Sequence, residues 1–167
     1  MSSSGGEFFQ VIAYRHSAPH QAEVSDAVLE ASRRVGGRMN PQGEFGALYL
    51  ALEIETAVRE LLRKAELAGI PVEDLVPRVV MTVEIRLSRL LDLTDAEVRT
   101  EWGLSEDDLA SPDHEACHQV ARAARRSGYE AILFPSATGT GTNLTVFLDR
   151  LHPGSRVHAV GHQILEL

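Results

Sequence analysis

Arg38 follows a glycine pair in Gly36-Gly37-Arg38, an order that brings bare backbone and a planar five-donor cation to one place. Tyr49 stands eleven residues on, and Glu60 eleven beyond that. Tyr49 falls in Ala47–Ala51, where alternation puts Leu48 and Leu50 on one face of a strand and Tyr49 on the other. Glu60 sits at the margin of an apolar stripe at positions 54, 57, 58, 61, 62 and 65, the spacing of a helix. An arginine on a glycine loop, a tyrosine on a strand and a glutamate on the next helix form a candidate site. Each also has an ordinary reading. Arg38 can brace a loop, Tyr49 can belong to the core, and Glu60 can pair with Lys64 one turn later.

A second candidate is His114-Glu115-Ala116-Cys117-His118, which matches H-E-x-x-H. On a helix the two histidines share a face and can hold zinc, with the glutamate as base. The competing reading is a surface helix start, since no third ligand follows on a second helix. Gly139-x-Gly141 lacks the third glycine and the following helix of a dinucleotide loop, and no lysine follows it as in a Walker loop. It remains an anion-holding turn or a plain connection. Ser136 is outside any G-x-S-x-G elbow, which leaves an orienting hydroxyl or a turn residue. Cys117 reads as helix packing.

The elements that must position these residues can be read in order. Phe8–Arg15 is a strand, Glu23–Arg34 a helix, and Gly69-Ile70-Pro71 ends the helix that begins at Ile54. Val79–Leu87 alternates with Met81, Val83, Ile85 and Leu87 inward, and Leu90–Leu93 extends it or pairs with it. Thr94 and Glu97 suggest a capping box for a short helix, and Ser111-Pro112 a helix running to about Ser127. Tyr129–Phe134, Leu144–Leu148 and Arg156–Leu165 read as strands. Strands divided by both helices and hairpin turns imply a mixed α/β or α+β fold. Residues 1–7, opening with MSSSGG, read as a flexible lead-in, and 8–167 as one domain.

The chain has 167 residues and a formal net charge of −8, which argues against general binding to a nucleic-acid backbone. Two or three arginines can still hold a small anion. One cysteine precludes an internal disulfide and fits a reducing cytoplasm. No apolar run has the length of a membrane span.

Arg15 at the end of the first strand, Gly36-Gly37-Arg38-Met39-Asn40-Pro41, Tyr49, Glu60 and Phe134-Pro135-Ser136-Ala137 occur together in this order. In that arrangement the chain resembles the RES domain family, from about Phe9 to Leu165. Met39 stands where the family usually carries tryptophan or phenylalanine, and His16 where some relatives carry tyrosine. The resemblance implies an ADP-ribosyltransferase-like α+β fold, with small packed sheets flanked by helices around a cleft for NAD. It implies the toxin half of a toxin–antitoxin pair, blocked by an antitoxin with an Xre-type helix-turn-helix domain. The expected activity is cleavage of NAD by phosphorolysis or hydrolysis, the alternative transfer of ADP-ribose to a protein, with no metal. Glu60 is then the candidate catalytic carboxylate beside an oxocarbenium-like state. Arg15 and Arg38 are expected to hold the pyrophosphate, Tyr49 to stack on nicotinamide or ribose, and Ser136 and Asn143 to bond the ligand's polar edge.

Overall fold

In the computed structural model the described residues are 7–167, so the lead-in expected over Met1–Gly6 lies outside them. Along the described chain run β1 (Phe9–Ser17), α1 (Asp26–Val35), β2 (Leu48–Ala51), α2 (Ile54–Ala68), β3 (Arg78–Leu87) and β4 (Leu90–Asp92). Then come α3 (Ala96–Glu101), α4 (Glu106–Ala110), α5 (Glu115–Arg126), β5 (Ala131–Pro135), β6 (Thr142–Val146) and β7 (Arg156–Leu165). The strands hydrogen-bond in the order β4-β5-β6-β2-β1-β3-β7. Only the β4–β5 ladder is parallel; the others are antiparallel. This is a mixed α+β architecture.

The sheet has a seam. β1 and β3 pair along nine positions, from Phe9↔Leu87 to Ser17↔Val79, whereas β1 meets β2 at the single pair Tyr14↔Ala51. In hydrogen-bonding terms it is two small sheets, β4-β5-β6-β2 and β1-β3-β7, joined by one rung. Apolar packing ties them together: Met81, Val83, Ile85 and Leu87 of β3 share a core with Leu48, Leu50, Leu133, Leu144 and Val146 of the other half. On the far side of that half, Ile132, Phe134 and Phe147 pack on Cys117, Val120, Ala121 and Ala124 of α5. The α5 stripe at 117, 120, 121 and 124 has helical spacing, and it buries one face against the sheet. Cys117 is core, as its lack of catalytic context implies.

Some local expectations change. Leu90–Leu93 does not pair with β3; β4 lies parallel to β5 at the opposite edge of the sheet. Ser88 N–H and Oγ–H and Arg89 N–H all donate to Glu130 Oε1, so a buried carboxylate turns the chain away from β3. The cap of α3 is Asp95, whose carboxylate accepts from Glu97 N–H, while Thr94 bonds back to Asp92. A further short helix, α4, follows α3 and opens on a Ser105–Asp108 capping box. α5 begins at Glu115, because Ser111 and Asp113 each close a turn onto the N–H two residues ahead.

Candidate functional site

A cleft of about 850 Å³ opens along the seam, a volume suited to a small-molecule ligand. Its wall takes Arg15 from β1, Arg38 from the loop after α1, Tyr49 from β2, Glu60 from α2 and Asn143 from β6. The distant parts of the chain named in the sequence thus converge.

Glu60 lies at the centre of a hydrogen-bonded group. Its Oε1 accepts from Ser136 Oγ at 2.9 Å and its Oε2 from Asn143 Nδ2 at 3.2 Å. A carboxylate only accepts, so the Ser136 hydroxyl proton points to Glu60 while Thr138 N–H donates to Ser136 Oγ. Ser136 is 6% exposed and does not itself line the cleft; it touches the site through the carboxylate. The tight turn that holds it closes through Ser136 N–H to Gly141 O at 3.0 Å. Gly141 has φ +88° and lies against α2, where a Cβ would come within 1.9 Å of Thr56 Oγ1. Glycine there lets the β5–β6 turn seat on the helix that carries Glu60, so the glycine-rich segment is a packed connection. Among the described residues Glu60 makes no ion pair with Lys64.

The loop carrying Arg38 is held from three sides. Tyr49 OH donates to Asn40 Oδ1 at 2.5 Å and accepts from Met39 N–H at 2.9 Å. Asn40 is fully buried and donates to Ser32 O and Phe45 O. His118 Nε2 donates to Gly37 O at 2.7 Å. A Cβ on Gly37 would lie 2.7 Å from Tyr49 OH, so the close approach inferred for the glycine pair is to the protein's own tyrosine. Burial pushes the Tyr49 phenol upward, with the Met39 N–H and Arg38 opposing it. The hydroxyl is committed to the loop, and the ring is the part left to face a ligand. Met39 is completely buried in the core beside Phe134 and Phe147, an internal packing residue.

Arg38 Nη1 donates to Ser111 O at 3.0 Å and Asp108 O at 3.3 Å, bracing the segment between α4 and α5. Its other donors bond no protein oxygen or nitrogen among the described residues, and the Cys117 thiol lies beside it. Arg15 Nη1 donates to Gln21 O at 2.6 Å. Burial, then the neighbouring Arg78 cation, lowers the Arg15 pKa. Neither arginine has a carboxylate within ion-pair distance among the described residues, and Arg63 and Lys64 of the same cleft have none either. A chain of net charge −8 therefore presents unpaired cations in one cleft, which is an electrostatic trap for an anion.

The H-E-x-x-H segment begins α5, as the helix-start reading has it, and two of its residues also serve the cleft. His114 precedes the first turn of α5 and lines the cleft, His118 holds the Gly37 loop, and Glu115 accepts from Gln119. Among the described residues no group of three or more His, Cys, Asp or Glu is gathered for a metal. The tie from His118 to Gly37 escapes sequence reading because its partner is a backbone carbonyl 81 residues away.

The RES domain family model matches residues 12–166. The NAD(+) phosphorylase MbcT of Mycobacterium tuberculosis (strain H37Rv) and that of Mycobacterium bovis are each 32% identical to this chain over 143 residues, 84% of it and 75% of the relative. The crystal structure of the M. tuberculosis MbcT–MbcA toxin–antitoxin complex is similar in fold, with a TM-score of 0.82 at 29% identity. The match covers 95% of this chain and 85% of that one.

Proposed function

This chain belongs to the RES domain family, and from that membership we propose that it is an NAD-consuming toxin that breaks the nicotinamide–ribose bond. Phosphorolysis is the favoured route, with ADP-ribose passing to inorganic phosphate, because the relatives reported above are NAD(+) phosphorylases. The observation that carries the reading is the Glu60–Ser136–Asn143 group set in a cleft of unpaired arginines. Each Glu60 oxygen accepts one protein hydrogen bond, so each keeps a lone pair for the ligand.

In this reading the pyrophosphate of NAD lies on Arg15 and Arg38, whose forks suit phosphate oxygens. The Tyr49 ring forms an apolar wall for nicotinamide or ribose. Glu60 bonds a ribose hydroxyl and faces the positive charge that grows as nicotinamide leaves. Ser136 and Asn143 keep the carboxylate pointed, acting on the ligand through it. The nicotinamide of NAD is already a good leaving group, so no metal is required.

The toxin–antitoxin architecture of the similar complex supports a partner that closes the cleft, and we assign it to an Xre-type helix-turn-helix antitoxin. No helix among the described residues is long and apolar enough to cross a membrane, and the assigned place of action is the cytoplasm, where NAD is abundant. Residues 8–167 act as one domain. The test is nicotinamide release from NAD by the purified chain, with and without phosphate. Release that needs phosphate supports phosphorolysis, release without it gives hydrolysis, and no release in either refutes the activity.

A further inference from the structure

His16 lines the cleft next to Arg15, and its Nδ1 lies 2.7 Å from Arg78 Nη2. A guanidinium only donates, so Nδ1 must accept. The neutral ring then carries its hydrogen on Nε2, a choice of tautomer set by the bond at the other nitrogen. His16 Nε2 has no protein partner among the described residues and is not a buried orphan. Arg78 itself keeps a buried Nε without a partner. A buried unpaired donor is unfavourable, so Arg78's own hydrogen bonding does not account for its position.

The charged groups facing His16 are all cations: Arg78 from β3, Lys64 from α2 and Arg15 beside it on β1, with Glu23 facing Arg15. Burial first, and then these charges, push the His16 pKa down to about 3. The ring is therefore a neutral donor throughout the physiological range.

We propose that Arg78 is a positioning residue, holding His16 as the Nε2–H tautomer so that this N–H donates to an oxygen of the anionic ligand beside Arg15. The proposal rests on the NAD reading for the ligand, whereas the tautomer follows from the protein alone. A neutral fixed N–H adds a directed bond to the site without a titrating charge. Ligand affinity is thereby insulated from pH where histidine ordinarily switches.

Nitrogen-15 NMR of histidine-labelled protein without NAD, with the signal assigned through His16→Gln, reads the tautomer directly. The expected result is a protonated Nε2, a bare Nδ1 and no titration between about pH 5 and about pH 8. Steady-state kinetics on NAD read the ligand contact. Arg78→Gln and His16→Asn should each raise KM about tenfold with kcat within about twofold. In His16→Gln the amide nitrogen reaches toward the Nε2 position, and KM should stay within about threefold of wild type. With Arg78 gone, burial and the charges of Lys64 and Arg15 still hold the His16 pKa down, so the ring stays neutral and KM in Arg78→Gln should stay raised from about pH 8 to about pH 6. A wild-type His16 that titrates near neutrality or carries its hydrogen on Nδ1 overturns the proposal, as does wild-type KM in both Arg78→Gln and His16→Asn. If wild type consumes no NAD, the NAD reading fails and takes the ligand contact with it, while the NMR result separately decides the tautomer.

Discussion

Glu60→Gln separates charge from shape at the centre of the site. The amide has nearly the carboxylate's size, and the group around it can re-form: the amide oxygen accepts from Asn143, and the amide nitrogen donates to Ser136 Oγ. The cost in stability should be about 1 kcal/mol, one rearranged partly buried hydrogen bond. Catalysis loses much more. A full charge facing a cation at about 4 Å is worth about 4 kcal/mol at an effective dielectric near 20. The bound carboxylate already shares its charge with two donors and the ribose cation is only partly developed, which brings this to about 2–4 kcal/mol. That corresponds to a fall in kcat of about 30-fold to about 1,000-fold. KM should change by less than about threefold, since the pyrophosphate contacts belong to Arg15 and Arg38. The assay is nicotinamide release under saturating NAD, paired with a thermal melt of the same sample. A variant that melts within a few degrees of wild type and retains more than about a third of its kcat would refute the role given to Glu60.

Three further outcomes follow from the geometry. Gly37→Ala puts a Cβ 2.7 Å from Tyr49 OH and 3.0 Å from Asn40 Oδ1, neither of which can swing away; overpacking of this kind should cost about 1–3 kcal/mol in a denaturant melt and raise KM through the displaced Arg38. Glu130→Gln turns an amide N–H toward His152 N–H where Oε2 now accepts at 2.8 Å, at a cost of about 1–3 kcal/mol. For wild-type Glu130 burial pushes the pKa up, but the donors from Ser155, His152, Arg89 and Ser88 outweigh it and hold the group below its ordinary value. Its stabilisation is therefore present above the unfolded carboxylate range and lost on acidification, and the melting difference between wild type and Glu130→Gln should shrink as pH falls below about 4.5. Dialysis against a chelator should leave NAD consumption unchanged, with elemental analysis of the same sample as the check on metal content; activity lost with chelator and restored by zinc would return His114, Glu115 and His118 to consideration.

Local periodicity carried much of the fold in the sequence. The strand Arg156–Leu165 and the start of α2 at Ile54 are where alternation and helical spacing put them. The points that shifted are those decided by distant partners. β4 crosses to β5 because Glu130, forty residues on, gathers the backbone at Ser88 and Arg89. Glu60 and Lys64 have the spacing of a surface ion pair, and nothing within one helical turn reveals that Ser136 and Asn143 take the carboxylate instead. Alternation sets Tyr49 on the face opposite Leu48 and Leu50, but its hydroxyl belongs to Asn40, a contact that depends on the fold of the Gly37–Asn40 turn. Spacing and resemblance together name residues that meet at the cleft, except that Ser136 stands behind Glu60; neither tells which of their atoms are already in use.

The single rung between β1 and β2, Tyr14↔Ala51, gives a bound ligand a mechanical meaning. Arg15 belongs to one half of the sheet and Tyr49 to the other, so a molecule held by both is a rivet across the seam. Its binding energy is added to the cohesion of the two halves as well as to their occupancy. Ligand at about a hundred times its dissociation constant would add about 2.7 kcal/mol to unfolding, concentrated where the backbone has the fewest ties. A toxin with such a seam is tightened by the substrate it holds.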